Sequence, residues 1–315
     1  MRSNPSKHPE DLVLRQTVPS LLLRAFSPHG VARKAVEFRL RWAGMKPQVM
    51  DLGVARVRVW LGGNGPPLLL LHGFGGDGLW AWHGQIGRLA RRHTLIVPDL
   101  VWFGGSTSQS SDRSLFFQAE TMAALAARLD VERFDLCGVS YGGLVAFTMA
   151  TMYPDRVRRL VMVDSPGPTY TTQDHEKMLA RFGVADVAEI VIPRAPKDVR
   201  RLLELAWTHP PPMPPLVLLD TYQKVFSTMV QEKLELLAWL DEQRRNPELR
   251  PDWTLPHPTL LVWGEHDPLF PVEVAERLND SLSQSELVVI PNTRHAPNVE
   301  KPGPFNDVLL EFLKR

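Results

Sequence analysis

A serine between two glycines is the first pattern in this chain that could do chemistry. Residues 138–142 read Gly-Val-Ser-Tyr-Gly, after an apolar run at 134–137 and before a helix-like run at 144–150. An abrupt strand-to-helix turn holds its central residue in a strained, left-handed conformation and needs small residues two positions to either side. It would lift the Ser140 hydroxyl above the sheet edge, at the positive end of the next helix. The spacing predicts a nucleophile, against the alternative of a glycine-rich turn with a chance serine.

Two later segments supply the groups that a nucleophilic serine needs. A histidine must take the hydroxyl proton, and a carboxylate must orient and stabilise the imidazolium that forms. Asp267 follows a buried-strand pattern at 259–263, and His295 follows another strand pattern at 286–290. Because the carboxyl ends of strands in an open α/β sheet share one edge, these residues are expected to meet there. The chain order Ser140, Asp267, His295 is that of an α/β hydrolase.

A fourth segment agrees with this reading. Leucines at 68–71 predict a fully buried strand, and His-Gly-Phe-Gly-Gly follows at 72–76. Backbone N–H groups within about 3 Å can stabilise the negatively charged oxygen of a tetrahedral intermediate. The amides of Phe74 and Tyr141 are the candidate donors.

With these segments, the chain resembles the α/β-hydrolase family from about residue 51 to the C-terminus. The resemblance rests on segments in the expected order: 72–76, 99–106, 138–142, 264–267 and 294–297. It is strongest to the serine-hydrolase branch of carboxylesterases and monoacylglycerol-lipase-like enzymes with a helical cap. It implies cleavage of a small-molecule carboxylic ester through an acyl-enzyme, with no cofactor.

Two other functions remain open under this resemblance. One is hydrolysis of a carbon–carbon bond in a vinylogous diketone, which uses the same triad. The other is a non-catalytic receptor or scaffold on the same fold, against which the intact triad and oxyanion loop argue. Dehalogenases and epoxide hydrolases are disfavoured, because relatives with those activities carry aspartate at the position of Ser140.

The acid of the triad has one rival. Asp164 follows the strand pattern at 160–163, and some family members place their acid after that strand. Asp267 is favoured, because Gly-Glu-His-Asp-Pro at 264–268 resembles the acid loop of the family. His266 beside Asp267 supplies only a second ligand, so no metal site is predicted.

Composition excludes several classes of function. The chain has 36 Lys and Arg against 35 Asp and Glu, so no global field favours nucleic acid. Its single cysteine, Cys137, cannot form an intrachain disulfide. No apolar run reaches about 18 residues, and the N-terminus lacks the apolar core of a signal peptide. These features predict a cytoplasmic protein.

The pattern of elements predicts an α/β fold: a mostly parallel sheet with helices on both faces. Apolar strands alternate with helices from residue 54 to residue 163, and the alternation resumes at 259. Between them lie helical stretches and a proline-rich segment, which predict an inserted helical cap. The predicted units are an N-terminal arm at 1–50, a core formed by 51–165 and 253–315, and a cap at 166–252.

The arm is basic, with nine Lys or Arg and three acidic residues in 1–50. Its apolar and basic residues interleave over 20–42, which predicts a helical arm packed on the domain. The alternative is a peripheral contact with a membrane or lipid interface.

Two groups of apolar residues are candidates for the substrate pocket. Trp80, Trp102 and Phe103 are expected near the mouth of the site, either lining a pocket or filling the core. Cap residues are the second group, with plain cap core as the alternative: Leu202, Leu205, Trp207, Met213 and Met229.

Overall fold

The computed structural model describes residues 27–246 and 255–315. The first 26 residues of the predicted arm and residues 247–252 of the predicted cap lie outside the described residues. The described residues form nine strands: β1 (Lys46–Asp51), β2 (Ala55–Gly63), β3 (Pro67–Leu71), β4 (Thr94–Pro98), β5 (Thr107–Ser108), β6 (Phe134–Val139), β7 (Val157–Val163), β8 (Thr259–Gly264) and β9 (Ser285–Ile290).

Helices alternate with the strands and fill the cap. They are α1 (Pro28–Trp42), α2 (Gly78–Leu89), α3 (Leu115–Arg128), α4 (Tyr141–Met152), α5 (Thr172–Phe182), α6 (Ala188–Val191), α7 (Pro196–Ala206), α8 (Pro215–Thr221), a π-helical turn (Tyr222–Phe226), α9 (Val230–Arg245), α10 (Val272–Ser281), α11 (Pro297–Glu300) and α12 (Pro302–Lys314). No helix among the described residues is both long and apolar enough to cross a lipid bilayer.

The sheet has the strand order β1-β2-β4-β3-β6-β7-β8-β9, with the short β5 paired to β2. All pairs from β4 to β9 are parallel, whereas β2 is antiparallel to its neighbours. One apolar layer packs α3 and α4 on one face, and a second packs α1, α2 and α12 on the other. The predicted α/β fold, mostly parallel with helices on both faces, is confirmed.

The edge of the sheet differs from the prediction. The alternation of Val and Arg at 54–60 predicts an edge strand with one solvent-exposed face, but β2 lies between β1 and β4. The edge is β1, which falls inside the predicted arm, so the sheet begins at Lys46. Strand β1 has only a weak pattern because Pro47 and exposed polar residues are tolerated at an edge.

In the described part of the chain between β7 and β8 lie five helices and the π-helical turn, as expected for an inserted cap. The sequence pattern over 220–245 predicts a single helical stretch, but the structure divides it. Residues 227–229 separate the π-helical turn from α9, and Met229 has a left-handed φ of 50°. The Lys233 ammonium group donates to the carbonyl of Thr228 over 2.9 Å, which satisfies backbone freed by the break.

Candidate active site

Ser140 stands in the sharp turn between β6 and α4. Its φ of 54° and ψ of −120° lie outside the regions that non-glycine residues favour. A Cβ atom on Gly138 would collide with the carbonyl of Gly142, and one on Gly142 would collide with the carbonyl of His72. The Ser140 amide donates to the carbonyl of Val163 over 2.8 Å, which ties the turn to β7. The strained turn expected from the two glycines is present.

His295 connects Ser140 to Asp267 through two hydrogen bonds. Its Nε2 lies 3.0 Å from the Ser140 Oγ, and its Nδ1 lies 2.8 Å from the Asp267 Oδ2. Because an ionised carboxylate only accepts hydrogen bonds, Nδ1 carries the proton and Nε2 accepts from the hydroxyl. The amides of Leu269 and Phe270 donate to the other oxygen of Asp267, which fixes the carboxylate. This arrangement can take a proton from the hydroxyl and stabilise the resulting imidazolium.

The loops after β8 and β9 hold the two partners of Ser140. The His266 amide donates to the carbonyl of Thr293 over 2.8 Å, which joins one loop to the other. The His295 amide donates to the carbonyl of Leu205 in α7 over 3.1 Å. The cap is therefore bonded directly to the backbone of the histidine.

Asp164, the rival acid, also lies at the site but has a different partner. Its Oδ1 accepts from the amide of Gly264 over 2.8 Å, and its side chain is fully buried. Burial, together with the charge of Asp267, raises the pKa of Asp164 well above its usual range. Asp164, Asp267 and His295 each have a potential ligand atom within 4.8 Å of the others. The Asp267–His295 contact is a hydrogen bond, so the cluster fits acid–base chemistry.

The two residues expected to supply oxyanion donors lie side by side. The rings of Phe74 and Tyr141 meet edge to face with their centroids 4.9 Å apart. A Cβ atom on Gly73 would stand 3.1 Å from the Ser140 Cβ, so the loop that carries Phe74 passes against the serine. Tyr141 begins α4, where the first amides of a helix have no intrahelical acceptor.

None of the three aromatic residues predicted near the mouth lines the cavity beside Ser140. Trp102 is buried and stacks on Phe117 at 5.4 Å. Phe103 is buried behind Phe74, at 5.1 Å. Trp80 packs against His29 of α1. These side chains are packing residues, which was the alternative for them.

The cavity beside Ser140 is bounded mainly by apolar side chains from the core and the cap. Core residues form one wall: Phe74, Leu115, Phe116, Leu144 and Phe147. Cap residues form the other: Met178, Val187, Val191, Leu237, Trp239 and Leu240. Polar side chains, including His175 and Asp241, also border it. A mainly apolar cavity beside a nucleophile suits an apolar substrate group.

None of the five cap residues predicted to line the site borders this cavity, and four of them pack in other apolar clusters. Leu202 and Leu205 pack within the cap, Met213 packs against the cluster of Val199 and Leu218, and Met229 packs against the main core. The lining could not be found from the sequence, because every amphipathic cap helix offers apolar residues and only their packing decides which ones face the site.

A group of buried charges supports the loop that follows Phe74. Asp77 lies 2.6 Å from Arg33 and 3.0 Å from Arg58, and Asp99 lies 2.8 Å from Arg58. Burial acts to raise the pKa of Asp77, but the two guanidinium groups outweigh it and lower that pKa. Burial and Asp77 raise the pKa of Asp99 to about 6. Sequence analysis missed this group, which links α1 to the core.

His72 has a structural position beside the nucleophile. Its Nε2 accepts from the amide of Leu100 over 2.9 Å. Burial lowers the pKa of His72 to about 4, so the ring is neutral at physiological pH. His72 therefore packs beside the site and bonds the backbone.

Comparison with known proteins agrees with this fold. Residues 66–302 match the family model described as the alpha/beta hydrolase fold. The chain belongs to this family, and it is a hydrolase of the α/β fold. The expected family and fold are both confirmed.

Individual relatives show how the family varies. A pimeloyl-[acyl-carrier protein] methyl ester esterase from Aeromonas hydrophila is 32% identical over 80% of this chain and 96% of its own. A 2-hydroxy-6-oxo-2,4-heptadienoate hydrolase from Pseudomonas putida is 27% identical over 80% of this chain and 90% of its own. Among solved structures, a membrane phospholipase A described as a bacterial virulence factor has a TM-score of 0.74, with 28% identity and 96% coverage of both chains.

Proposed function

We propose that the protein hydrolyses carboxylic esters through an acyl-enzyme on Ser140. The observation that carries the proposal is the pair of hydrogen bonds from His295 to Ser140 and Asp267, at 3.0 and 2.8 Å. Each atom has the position that general-base activation of a hydroxyl requires.

In the proposed first step, the Ser140 Oγ attacks the ester carbonyl while His295 Nε2 takes the hydroxyl proton. The amides of Phe74 and Tyr141 stabilise the negative charge on the carbonyl oxygen. His295 then gives its proton to the departing alcohol, and the acyl group stays on Ser140. Water attacks the acyl-enzyme with His295 again as the base, which releases the carboxylic acid and restores the serine.

The substrate proposed is an ester with an apolar acyl group. Its support is the cavity, where Leu144, Phe147 and Leu237 are among the residues that border the space beside Ser140. Burying each CH₂ group of an acyl chain contributes about 0.8 kcal/mol. The similarity to an esterase and to a membrane phospholipase supports the same substrate class.

Hydrolysis of a carbon–carbon bond is the second candidate, because a relative named for a dienoate substrate is 27% identical. The same three residues would serve, but the substrate would be a charged ring-cleavage product. The apolar walls of the cavity favour the ester. If the purified protein hydrolysed dienoates and left esters intact, carbon–carbon bond hydrolysis would replace ester hydrolysis as the favoured function.

The first experiment labels the protein with a fluorophosphonate probe and measures turnover of esters with graded acyl length. Wild type should be labelled, whereas Ser140→Ala should not be labelled and should lose on the order of 10⁴–10⁶ in rate. Ser165→Ala is the control, because Ser165 follows Asp164 at the same sheet edge but is fully buried, whereas Ser140 is partly exposed. Equal labelling of wild type and Ser140→Ala would rule out this nucleophile, and a preparation active on no ester would rule out the substrate class.

A lipid interface is the proposed place of action. Such a contact is the alternative given for residues 20–42, of which 20–26 lie outside the described residues. The remainder forms α1 and its N-cap Ser27.

A further inference from the structure

Helix α1 (Pro28–Trp42) presents large apolar side chains to solvent. Val31 is 55% exposed, Phe38 70% and Trp42 89%. With Ala35, which is also exposed, they follow a spacing of four, three and four residues and so lie within an arc of about 60° on the helix. We call these four residues the outer stripe. Among the described residues, every large hydrophobic side chain of high exposure lies between positions 31 and 54.

The outer stripe does not result from a loosely attached helix. At its start, the Ser27 hydroxyl and the His29 amide both donate to the Asp220 carboxylate of α8, at 2.7 and 2.9 Å. Arg33 reaches inward to Asp77, and Leu40 is buried in the core. The inner face is thus already occupied by polar and apolar partners, so the exposed side chains have no place in the core.

The charges beside the outer stripe are of one sign. Lys34, Arg39 and Arg41 are all exposed and flank it. The single carboxylate of the helix, Glu37, bonds to Arg33 at 3.1 Å on the inward side. An apolar stripe between cations complements a surface of acyl chains beneath anionic headgroups.

We propose that the outer stripe of α1 docks on an anionic phospholipid surface, with Phe38 and Trp42 inserted at the headgroup boundary and Lys34 and Arg39 against the phosphates. Tryptophan and basic side chains with apolar stems suit this boundary. The docking goes beyond ester hydrolysis and does not depend on it. Because α1 is bonded to both α8 and Asp77, docking would orient the cap and the core together on the surface.

The experiment is cosedimentation of the full-length chain with vesicles. One set contains phosphatidylcholine alone, and the other contains equal parts phosphatidylcholine and phosphatidylglycerol. Wild type should pellet with the anionic vesicles and be released by salt, since added ions screen the headgroups. The variant Phe38→Ala/Trp42→Ala should bind these vesicles at least about tenfold more weakly than wild type, because it loses two aromatic side chains from the interface.

A charge variant tests the role of the basic residues, and two control variants test whether the effects are specific to α1. Lys34→Gln/Arg39→Gln should weaken binding to the anionic vesicles. Arg128→Gln/Arg133→Gln removes equal charge, and it should bind as wild type does. Arg128 ends α3, which packs on the other face of the sheet from α1, and Arg133 lies in the loop that follows α3. Val54→Ala is the apolar control, since Val54 is 57% exposed but lies outside α1.

Hydrolysis of a short soluble ester is measured in parallel and should be unchanged in every variant. Failure of the ester assay alone would count against the proposed function, whereas failure of vesicle binding would count against the docking surface. Wild type that ignores anionic vesicles, or a Phe38→Ala/Trp42→Ala variant that binds them as wild type does, would overturn the docking proposal. A change in the molecular mass of this variant in solution, without loss of vesicle binding, would assign the stripe to contact with a protein and would equally overturn it.

Discussion

Asp164 and Asp267 bring their carboxyl groups within 4.8 Å of each other, but only Asp267 bonds to His295. Asp164 instead accepts from the amide of Gly264, at the end of β8. Two buried carboxyl groups this close disfavour simultaneous ionisation. The hydrogen bond to the imidazole distinguishes Asp267 as the partner of His295, whereas burial and the charge of Asp267 raise the pKa of Asp164.

The division between the two acids predicts unequal effects on catalysis. Asp267→Asn should lower ester turnover on the order of 10⁴-fold, because the variant no longer stabilises the imidazolium and favours the wrong tautomer. Asp164→Asn should retain most activity, since an amide oxygen can still accept from Gly264. Steady-state kinetics and a circular dichroism spectrum of each variant make the comparison. A larger loss of turnover in Asp164→Asn than in Asp267→Asn would identify Asp164, the residue after β7, as the acid of the triad.

Asp164→Asn should also change how stability depends on pH. Burial and the charge of Asp267 raise the pKa of Asp164, so the folded chain binds this proton more tightly than the unfolded chain. The free energy of unfolding should therefore fall as pH rises from about 4 towards the raised pKa. Asparagine has no proton to lose, so the variant should gain stability relative to wild type across that range. Urea unfolding at several pH values tests this, and a pH-independent difference would contradict it.

Filling the cavity should shorten the acyl chains that are accepted. Val191 borders the cavity from α6, and Val191→Phe should reduce turnover of long-chain esters more than that of acetate esters. The matched control is Val184→Phe, because Val184 is partly buried in the same cap but does not border the cavity. The ratio of kcat/KM for long and short esters is the measurement. A ratio shifted equally in both variants would place the acyl group elsewhere.

Arg33→Gln should destabilise the protein, because it leaves the buried carboxylate of Asp77 with fewer partners. The expected loss in unfolding free energy is about 1–3 kcal/mol near neutral pH. Since the pKa of Asp77 is lowered in the folded state, the loss should shrink as pH falls and the carboxylate is protonated. Lys34→Gln, on the exposed side of the same helix, should change stability little. Urea unfolding of both variants provides the test, and equal stability would contradict a role for the ion pair.

The reacting groups could be predicted from the sequence because local patterns determine them. Two glycines flank Ser140 at the spacing that the strained turn needs, and their small size is visible in the sequence. Asp267 and His295 each follow an apolar strand, and parallel strands bring such loops to one edge of the sheet. The parallel sheet itself also followed from short apolar runs that alternate with helical ones.

The cavity required the tertiary structure, as did the contacts that distinguish the two acids. Asp164 and Asp267 both follow strands, and the sequence favours Asp267 only by the resemblance of its loop to that of the family. The structure adds that Asp267 is the one hydrogen-bonded to His295. The lining residues Met178, Val191 and Leu237 come from three cap helices, each of which also carries apolar residues that do not border the cavity. Which apolar face meets the core depends on how the helices pack together, and helical periodicity does not specify that.

Helix α1 shows most clearly that the sequence pattern does not determine which face of a helix is buried. Periodicity alone would turn the stripe of Val31, Phe38 and Trp42 towards the core, because apolar stripes normally face inward. The structure turns it outward. Arg33 instead points inward to the buried Asp77, and Leu40 occupies the apolar contact on the same side. A buried carboxylate needs a cation, and this requirement joins residues 44 positions apart in the chain. Only the folded molecule reveals it.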